Sequence, residues 1–118
     1  VVGTLVRREL PDAVPPVIES GTSTWAPSGA TFVRSGRVPQ WQGNLLFAGL
    51  RSETLWRLVL AADGRSAQEL EPLYQGEFGR LRTAVEGPDG AIYLLTSNRD
   101  GRGSPQRDDD RVLRIVPA

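Results

Sequence analysis

The sequence predicts an all-β fold made of short antiparallel strands. Its 118 residues include 13 Gly and 9 Pro, which interrupt the chain every few residues and disfavour helices. From Ser28 onward, short runs rich in Leu, Val, Ile, Thr and aromatic residues alternate with turns, as strands do. Two sets of these runs resemble each other, which indicates a repeated structural unit.

The elements follow in order along the chain. Val1–Leu10 is predicted to be a strand, and residues 11–27 a proline-broken linker followed by a polar loop. Asp63-Gly64 and Asp89-Gly90 predict tight hairpin turns, because Gly accepts a positive φ. The other predicted strands are Ala30–Arg34, Asn44–Leu50, Thr54–Ala61, Ala67–Tyr74, Leu81–Glu86, Ala91–Ser97 and Arg111–Val116.

The repeat relates two pairs of these strands. Gly43–Gly49 resembles Gly90–Thr96, and Leu55–Val59 resembles Val112–Val116, with a longer loop after Ser97. A repeat of roughly 40–50 residues with several strands per unit is typical of a β-propeller blade.

The strand count divides the chain into three predicted parts. Residues 1–27 enter the first blade, residues 28–75 form a complete four-stranded blade, and residues 76–118 form a final, partial blade. Because a blade buries its faces only against its neighbours, we expect the remaining blades, from the same gene or a second chain, as partners. A stand-alone sandwich or barrel is the alternative.

Composition excludes several classes of function. The formal charge at pH 7 is zero, so no global field attracts nucleic acid or an anionic membrane. Neither Cys nor His occurs, which removes disulfides, thiolate metal sites and the commonest general base. All 14 basic residues are Arg, so no lysine Schiff base can form. No segment approaches the roughly 20 apolar residues of a membrane span, and Val1–Leu10 lacks the pattern of a signal peptide.

One stretch carries a recognisable motif. Gly79–Thr96 combines Arg-x-Arg at a strand start, then Gly-Pro-Asp-Gly, then an apolar strand that ends in Thr. This stretch resembles the glucose/sorbosone dehydrogenase family of soluble quinoprotein aldose dehydrogenases. Ala26–Ala30, Trp41–Leu45 and Leu50–Leu58 resemble preceding elements of that family, and the match covers about residues 24–117 in the right order.

The resemblance implies a fold and an activity. The chain would be the C-terminal two blades of a six-bladed propeller, in a periplasmic or secreted enzyme without a membrane span. That enzyme would oxidise the C1 hydroxyl of an aldose sugar to a lactone, using pyrroloquinoline quinone (PQQ), calcium and a His base. Because this sequence contains no His, the base and the calcium ligands are expected outside it, and no catalytic residue is assigned within it.

The resemblance also implies cofactor-binding residues: Arg80 and Arg82 of the Arg-x-Arg motif, Arg51 in the preceding blade, and Thr24. Arg80 and Arg82 are two apart in a strand, so we expect them on one side, about 7 Å apart. Two guanidinium groups there repel each other unless an anion lies between them, and the cofactor is a tricarboxylate, which Arg binds in a bidentate manner.

Alternatives remain for these arginines and their neighbours. Arg80 and Arg82 could instead be solvent-exposed charges or pair with one of three carboxylates, those of Glu71, Glu77 and Glu86. Leu81, Thr83 and Val85 are expected together on the opposite face of the strand.

Other residues also allow two interpretations. The tryptophans are interpreted as packing anchors, with a sugar-stacking platform as the alternative; they are Trp25, Trp41 and Trp56. The run Asp108–Asp110 is interpreted as a solvated charge run rather than as calcium ligands. For the whole protein, the alternatives to a dehydrogenase are a non-catalytic propeller that binds carbohydrate or protein, and an independent small β module.

Overall fold

The computed structural model describes residues 10–118, so the strand predicted over Val1–Leu10 lies outside the described residues except for Leu10. Within residues 10–118 there are seven strands and one short 3-10 helix, Pro39–Trp41. The strands are β1 (Pro27–Phe32), β2 (Leu45–Gly49), β3 (Thr54–Leu60), β4 (Ala67–Leu73), β5 (Leu81–Glu86), β6 (Ile92–Thr96) and β7 (Val112–Ile115).

These strands form two antiparallel sheets. The first sheet has the order β1-β2-β3-β4 and the second the order β5-β6-β7, so each strand pairs with its neighbour in sequence. The predicted all-β fold class, with a four-stranded sheet followed by a three-stranded one, is confirmed. The division of the chain at residues 28, 75 and 76 stays a prediction.

The hydrophobic core lies between the two sheets. Leu46 and Leu55 of the first sheet and Leu81, Ile92 and Leu94 of the second are all fully buried. Strands β1 and β2 pack against β5, which joins the sheets face to face. Burying each such side chain contributes roughly 1.5–3 kcal/mol, so this contact holds the two sheets in a fixed relation.

A β-bulge alters the pattern of faces in β5. The register shifts between Leu81 and Thr83, so an extra residue is inserted opposite β6. As a result, Leu81 faces the core together with Ala84, while the side chain of Val85 is 45% exposed. The expectation that Leu81, Thr83 and Val85 share one face is therefore wrong, because strict alternation does not continue through a bulge.

The tryptophans take part in packing. Trp25 packs against both Phe47 and Trp56, with ring centroids 5.7 and 5.0 Å away. These rings lie on the face of the first sheet opposite to the core residues Leu46 and Leu55. Trp41 packs against the core between the sheets. All three tryptophans contact other side chains in the structure, and the choice between packing anchors and a sugar-stacking platform stays a prediction.

Within the part of the chain that the structure describes, no helix has the length and apolar character needed to cross a membrane.

Candidate functional site

The four residues predicted to bind the cofactor lie at one end of the two sheets, which we call the site end. It consists of residues 24–26 before β1, 50–53 between β2 and β3, 74–80 between β4 and β5 together with the first two residues of β5, and 97–111 between β6 and β7. The turns at residues 61–66 and 87–91 lie at the opposite end. Substitutions at the opposite end can therefore serve as controls for substitutions at the site end.

Thr24 and Arg51 are brought together by the backbone. The N–H groups of Arg51 and Ser52 donate to the carbonyl oxygen of Trp25 at 3.1 and 3.2 Å. The Oγ1 atom of Thr24 accepts a hydrogen bond from the N–H of Ala26 at 3.3 Å, which fixes the turn before β1. Both Thr24 and Arg51 are exposed, so their side chains are accessible at the site end.

Arg80 is held in a polar contact between two loops. Its Nε donates to Oδ2 of Asp100 at 2.9 Å, and one terminal nitrogen lies 3.4 Å from the carbonyl oxygen of Leu50. Only 13% of the Arg80 side chain is exposed, against 19% for Asp100. Arg80 is thus a fixed, partly buried cation directly beside the residue that precedes Arg51.

Arg82 is the more accessible member of the pair. Its NH2 group donates to Oγ of Ser97 at 3.1 Å and lies 3.8 Å from Oδ2 of Asp100. Its side chain is 49% exposed. Arg80 and Arg82 therefore approach the same carboxylate, and neither pairs with Glu71, Glu77 or Glu86 in the described part of the chain.

The electrostatics of this group favour an anion. The pKa of Asp100 is lowered to about 2, first by a hydrogen bond from the backbone N–H of Arg102 and then by Arg80, so Asp100 is ionised at neutral pH. Within residues 10–118 it is the one acidic side chain within salt-bridge distance of Arg80 or Arg82. One carboxylate between two guanidinium groups leaves an excess of positive charge at this pair. Arg51 directly follows Leu50, whose carbonyl oxygen contacts Arg80.

The loop between β6 and β7 is organised by its own carboxylates. The side chain of Asp109 is only 1% exposed. It accepts hydrogen bonds from the N–H of Gln106, from Nδ2 of Asn98 and from Nε of Arg111, at 2.8, 3.1 and 3.2 Å. These contacts lower the pKa of Asp109, the bond from Gln106 most of all.

Asp110 acts in a similar way, because its Oδ1 accepts from the N–H of Asn98 at 2.6 Å and from Oγ1 of Thr96 at 3.2 Å. The interpretation of Asp108–Asp110 as a solvated charge run is therefore wrong for Asp109, whose side chain is buried, whereas Asp108 and Asp110 are exposed. The oxygens of Asp109 and Asp110 accept hydrogen bonds from loop donors, and no group of three or more acidic side chains in residues 10–118 is placed to hold a metal ion.

Asp100 and Ser97 are the residues of this site that the sequence did not reveal. Asp100-Gly101 follows an apolar strand, and this local pattern indicates a turn but no partner for the side chain of Asp100. The antiparallel pairing of β5 and β6 offered a signal, since it brings the residues after Thr96 beside those before Leu81. The N–H of Ser97 indeed donates to the carbonyl oxygen of Arg80 at 2.9 Å.

Comparison with known protein families gives a match over most of the chain. The family described as glucose/sorbosone dehydrogenase matches residues 4–113 of the chain. Among curated proteins, an uncharacterised protein of Synechocystis is 34% identical over 92 residues, which is 78% of this chain and 21% of that protein. The aldose sugar dehydrogenase YliI of Escherichia coli is 32% identical over 76 residues, 64% of this chain and 20% of that protein.

Solved structures give the same picture. The PQQ-bound form of an aldose sugar dehydrogenase from Streptomyces coelicolor is 38% identical with a TM-score of 0.71, covering 86% of this chain and 28% of that one. An oxidoreductase from Thermus thermophilus, described as a glucose dehydrogenase, is 47% identical with a TM-score of 0.64, covering 76% of this chain and 25% of that one. The chain thus spans about a fifth of the curated relatives and about a quarter of the solved ones.

Proposed function

Because the chain belongs to the glucose/sorbosone dehydrogenase family, we propose that it is part of a PQQ-dependent enzyme that oxidises the C1 hydroxyl of an aldose sugar to a lactone. In this proposal the chain supplies cofactor-binding side chains at the site end, and the other blades of the propeller are its partners. PQQ, when bound, accepts the hydride that leaves C1.

The observation that carries the proposal is the pair of Arg80 and Arg82 at the carboxylate of Asp100, with Arg51 in the loop that Arg80 contacts through the carbonyl oxygen of Leu50. The donor chemistry fits PQQ, since guanidinium groups bind carboxylates through paired N–H donors and PQQ carries three carboxylates. Arg82 and Arg51 offer the exposed donors, Arg80 adds a fixed positive charge, and Thr24 offers a hydroxyl beside Arg51.

Asp100 is a poor candidate for the catalytic base. A general base works best with a pKa near the operating pH, and the pKa of Asp100 is about 2. The sequence holds no His. We therefore propose that a His in another part of the complete protein takes the proton, that the calcium ligands also lie there, and that the protein is periplasmic or secreted.

Binding of PQQ to the complete apoprotein tests this function. We expect Arg82→Ala and Arg51→Ala each to raise the Kd for PQQ by roughly 10- to 100-fold, the loss of about 1.5–3 kcal/mol for a hydrogen bond between charged groups. Arg65→Ala is the matched control, because Arg65 is exposed in the turn at the opposite end of the first sheet.

The proposal is supported if the complete protein binds PQQ, if Arg82→Ala and Arg51→Ala weaken this binding, and if Arg65→Ala does not. A protein that binds no PQQ in the presence of calcium, yet retains a carbohydrate or protein ligand, would instead be a non-catalytic propeller.

A further inference from the structure

Asp100 connects both members of the Arg-x-Arg pair from a different loop. Its Oδ2 lies 2.9 Å from Nε of Arg80 and 3.8 Å from NH2 of Arg82. The hydroxyl of Ser97 bridges the longer gap, since its Oγ accepts from Arg82 at 3.1 Å and donates to Asp100 at 3.3 Å. The two arginines are thereby linked through one carboxylate and one hydroxyl.

Asp100 is itself fixed by the backbone. Its Oδ1 accepts from the N–H of Arg102 at 2.9 Å, which closes a tight turn at Asp100-Gly101. The loop is anchored to β5 because the backbone of Ser97 donates to that of Arg80. A carboxylate held in this way restricts the rotamers of the arginine side chains before a ligand binds. The entropy cost of ordering those side chains on binding is therefore smaller.

We propose that Asp100 is a positioning residue, which holds Arg80 and Arg82 in the orientation in which their remaining N–H groups bind the carboxylates of the cofactor. This inference rests on the proposed function, since it assigns the arginines an anionic ligand. Asp100 touches neither the cofactor nor the sugar in this role and acts only through the two guanidinium groups.

The direction in which Asp100→Asn changes the Kd for PQQ distinguishes a positioning role of Asp100 from a purely electrostatic one. Asp100 is a negative charge near a site for a trianionic ligand, so a purely electrostatic role predicts that Asp100→Asn tightens PQQ binding. Positioning predicts the opposite, because an Asn amide presents N–H donors to the guanidinium groups and cannot hold both. The two roles thus move the Kd in opposite directions.

The experiment measures PQQ binding to the complete apoprotein by titration in the presence of calcium. We expect Asp100→Asn to raise the Kd about tenfold, Asp100→Glu to restore part of the affinity, and Ser97→Ala to raise the Kd by a smaller factor. Asp108→Asn is the matched control, because it removes an exposed carboxylate from the same loop, and we expect an unchanged or slightly lower Kd. At saturating PQQ, the KM for the sugar should be unchanged in Asp100→Asn.

The outcomes distinguish failure of this inference from failure of the proposed function. If Asp100→Asn tightens or does not change binding while Arg82→Ala weakens it, Asp100 does not position the arginines and the proposed function stands. If Arg82→Ala also leaves the Kd unchanged, the proposed function fails with it. If Asp100→Asn does not fold, the Ser97→Ala and Asp100→Glu variants decide, and an unchanged Kd in both overturns the inference.

Discussion

The carboxylate of Glu86 accepts a hydrogen bond from the backbone N–H of Arg34 at 2.9 Å, which joins the second sheet to the end of the first. The same oxygen, Oε2, accepts from the N–H of Ser35 at 3.2 Å. One carboxylate therefore satisfies two consecutive backbone donors of the chain that leaves β1. These bonds connect residues that are far apart in sequence, so they report on the contact between the sheets.

We predict that Glu86→Ala lowers the free energy of unfolding by about 1–3 kcal/mol, because two backbone N–H groups lose their side-chain acceptor. Denaturant unfolding of the complete protein measures this loss. Glu86→Gln keeps one oxygen acceptor and should lose less, and Glu19→Ala, in the exposed linker, should change little. Equal losses for Glu86→Ala and Glu19→Ala would show that this contact does not hold the sheets together.

Gly29 marks a close approach between β1 and β5. A Cβ atom built at this position would overlap the side chain of Thr83 and approach its backbone. Gly29→Ala should therefore force the two strands apart and lower the free energy of unfolding by about 1–3 kcal/mol, as overpacking does. Gly36→Ala is the control, because a Cβ there meets open space. Equal free energies of unfolding for Gly29→Ala and Gly36→Ala, measured with denaturant, would contradict a close contact between Gly29 and Thr83.

Much of the fold could be predicted from the sequence, because turn signals and short apolar runs are local. The seven strands within residues 10–118 lie where these runs are, with ends that differ by a few residues. The bulge at Leu81–Thr83 could not be predicted, since it depends on the register against β6. The result was the wrong assignment of Leu81 to the face of Val85.

The candidate site shows the same division between local and distant information. The arginines could be proposed from an Arg-x-Arg motif within one strand and its resemblance to a family. Their shared carboxylate, Asp100, is not visible in the motif itself: the pairing of β5 with β6 brings its loop beside Arg80, but the path of that loop is fixed by tertiary hydrogen bonds such as that from Ser97 to Arg80. The burial of Asp109 cannot be predicted for the same reason, since a run of three Asp residues gives no sign that the side chain of the middle one is buried.

The ion pair of Asp89 with Arg114 predicts a pH dependence of stability. The pKa of Asp89 is lowered from 3.8 to about 2, chiefly by the hydrogen bond from Arg114, with further bonds from the backbone N–H of Ala91 and the hydroxyl of Tyr93. A lowered carboxyl pKa stabilises the folded state above the unfolded pKa, and this contribution is lost as the pH falls through the folded pKa. It is thus complete above about pH 4 to 5 and disappears towards about pH 2.

The measurement compares the Tm of the complete protein with that of its Asp89→Asn variant across this range. We expect a constant difference near neutral pH that shrinks on acidification, whereas Asp12→Asn, in the exposed linker, should show little difference at any pH. A difference that grows as the pH falls would contradict the assignment.

The buried carboxylate of Asp109 predicts that two adjacent residues of the same type respond differently to the same substitution. Asp109→Asn removes the charge that three donors from the loop share, and it turns one acceptor oxygen into a donor that faces them. Asp108→Asn makes the same chemical change at an exposed position. We therefore expect Asp109→Asn to lower the Tm by several degrees and to speed proteolytic cleavage within residues 98–110, and Asp108→Asn to leave both unchanged.

Because this loop also carries Asp100, the Asp109 variant should weaken PQQ binding as well. Loss of stability in Asp108→Asn equal to that in Asp109→Asn would mean that the run acts through its total charge rather than through the hydrogen bonds of its middle member.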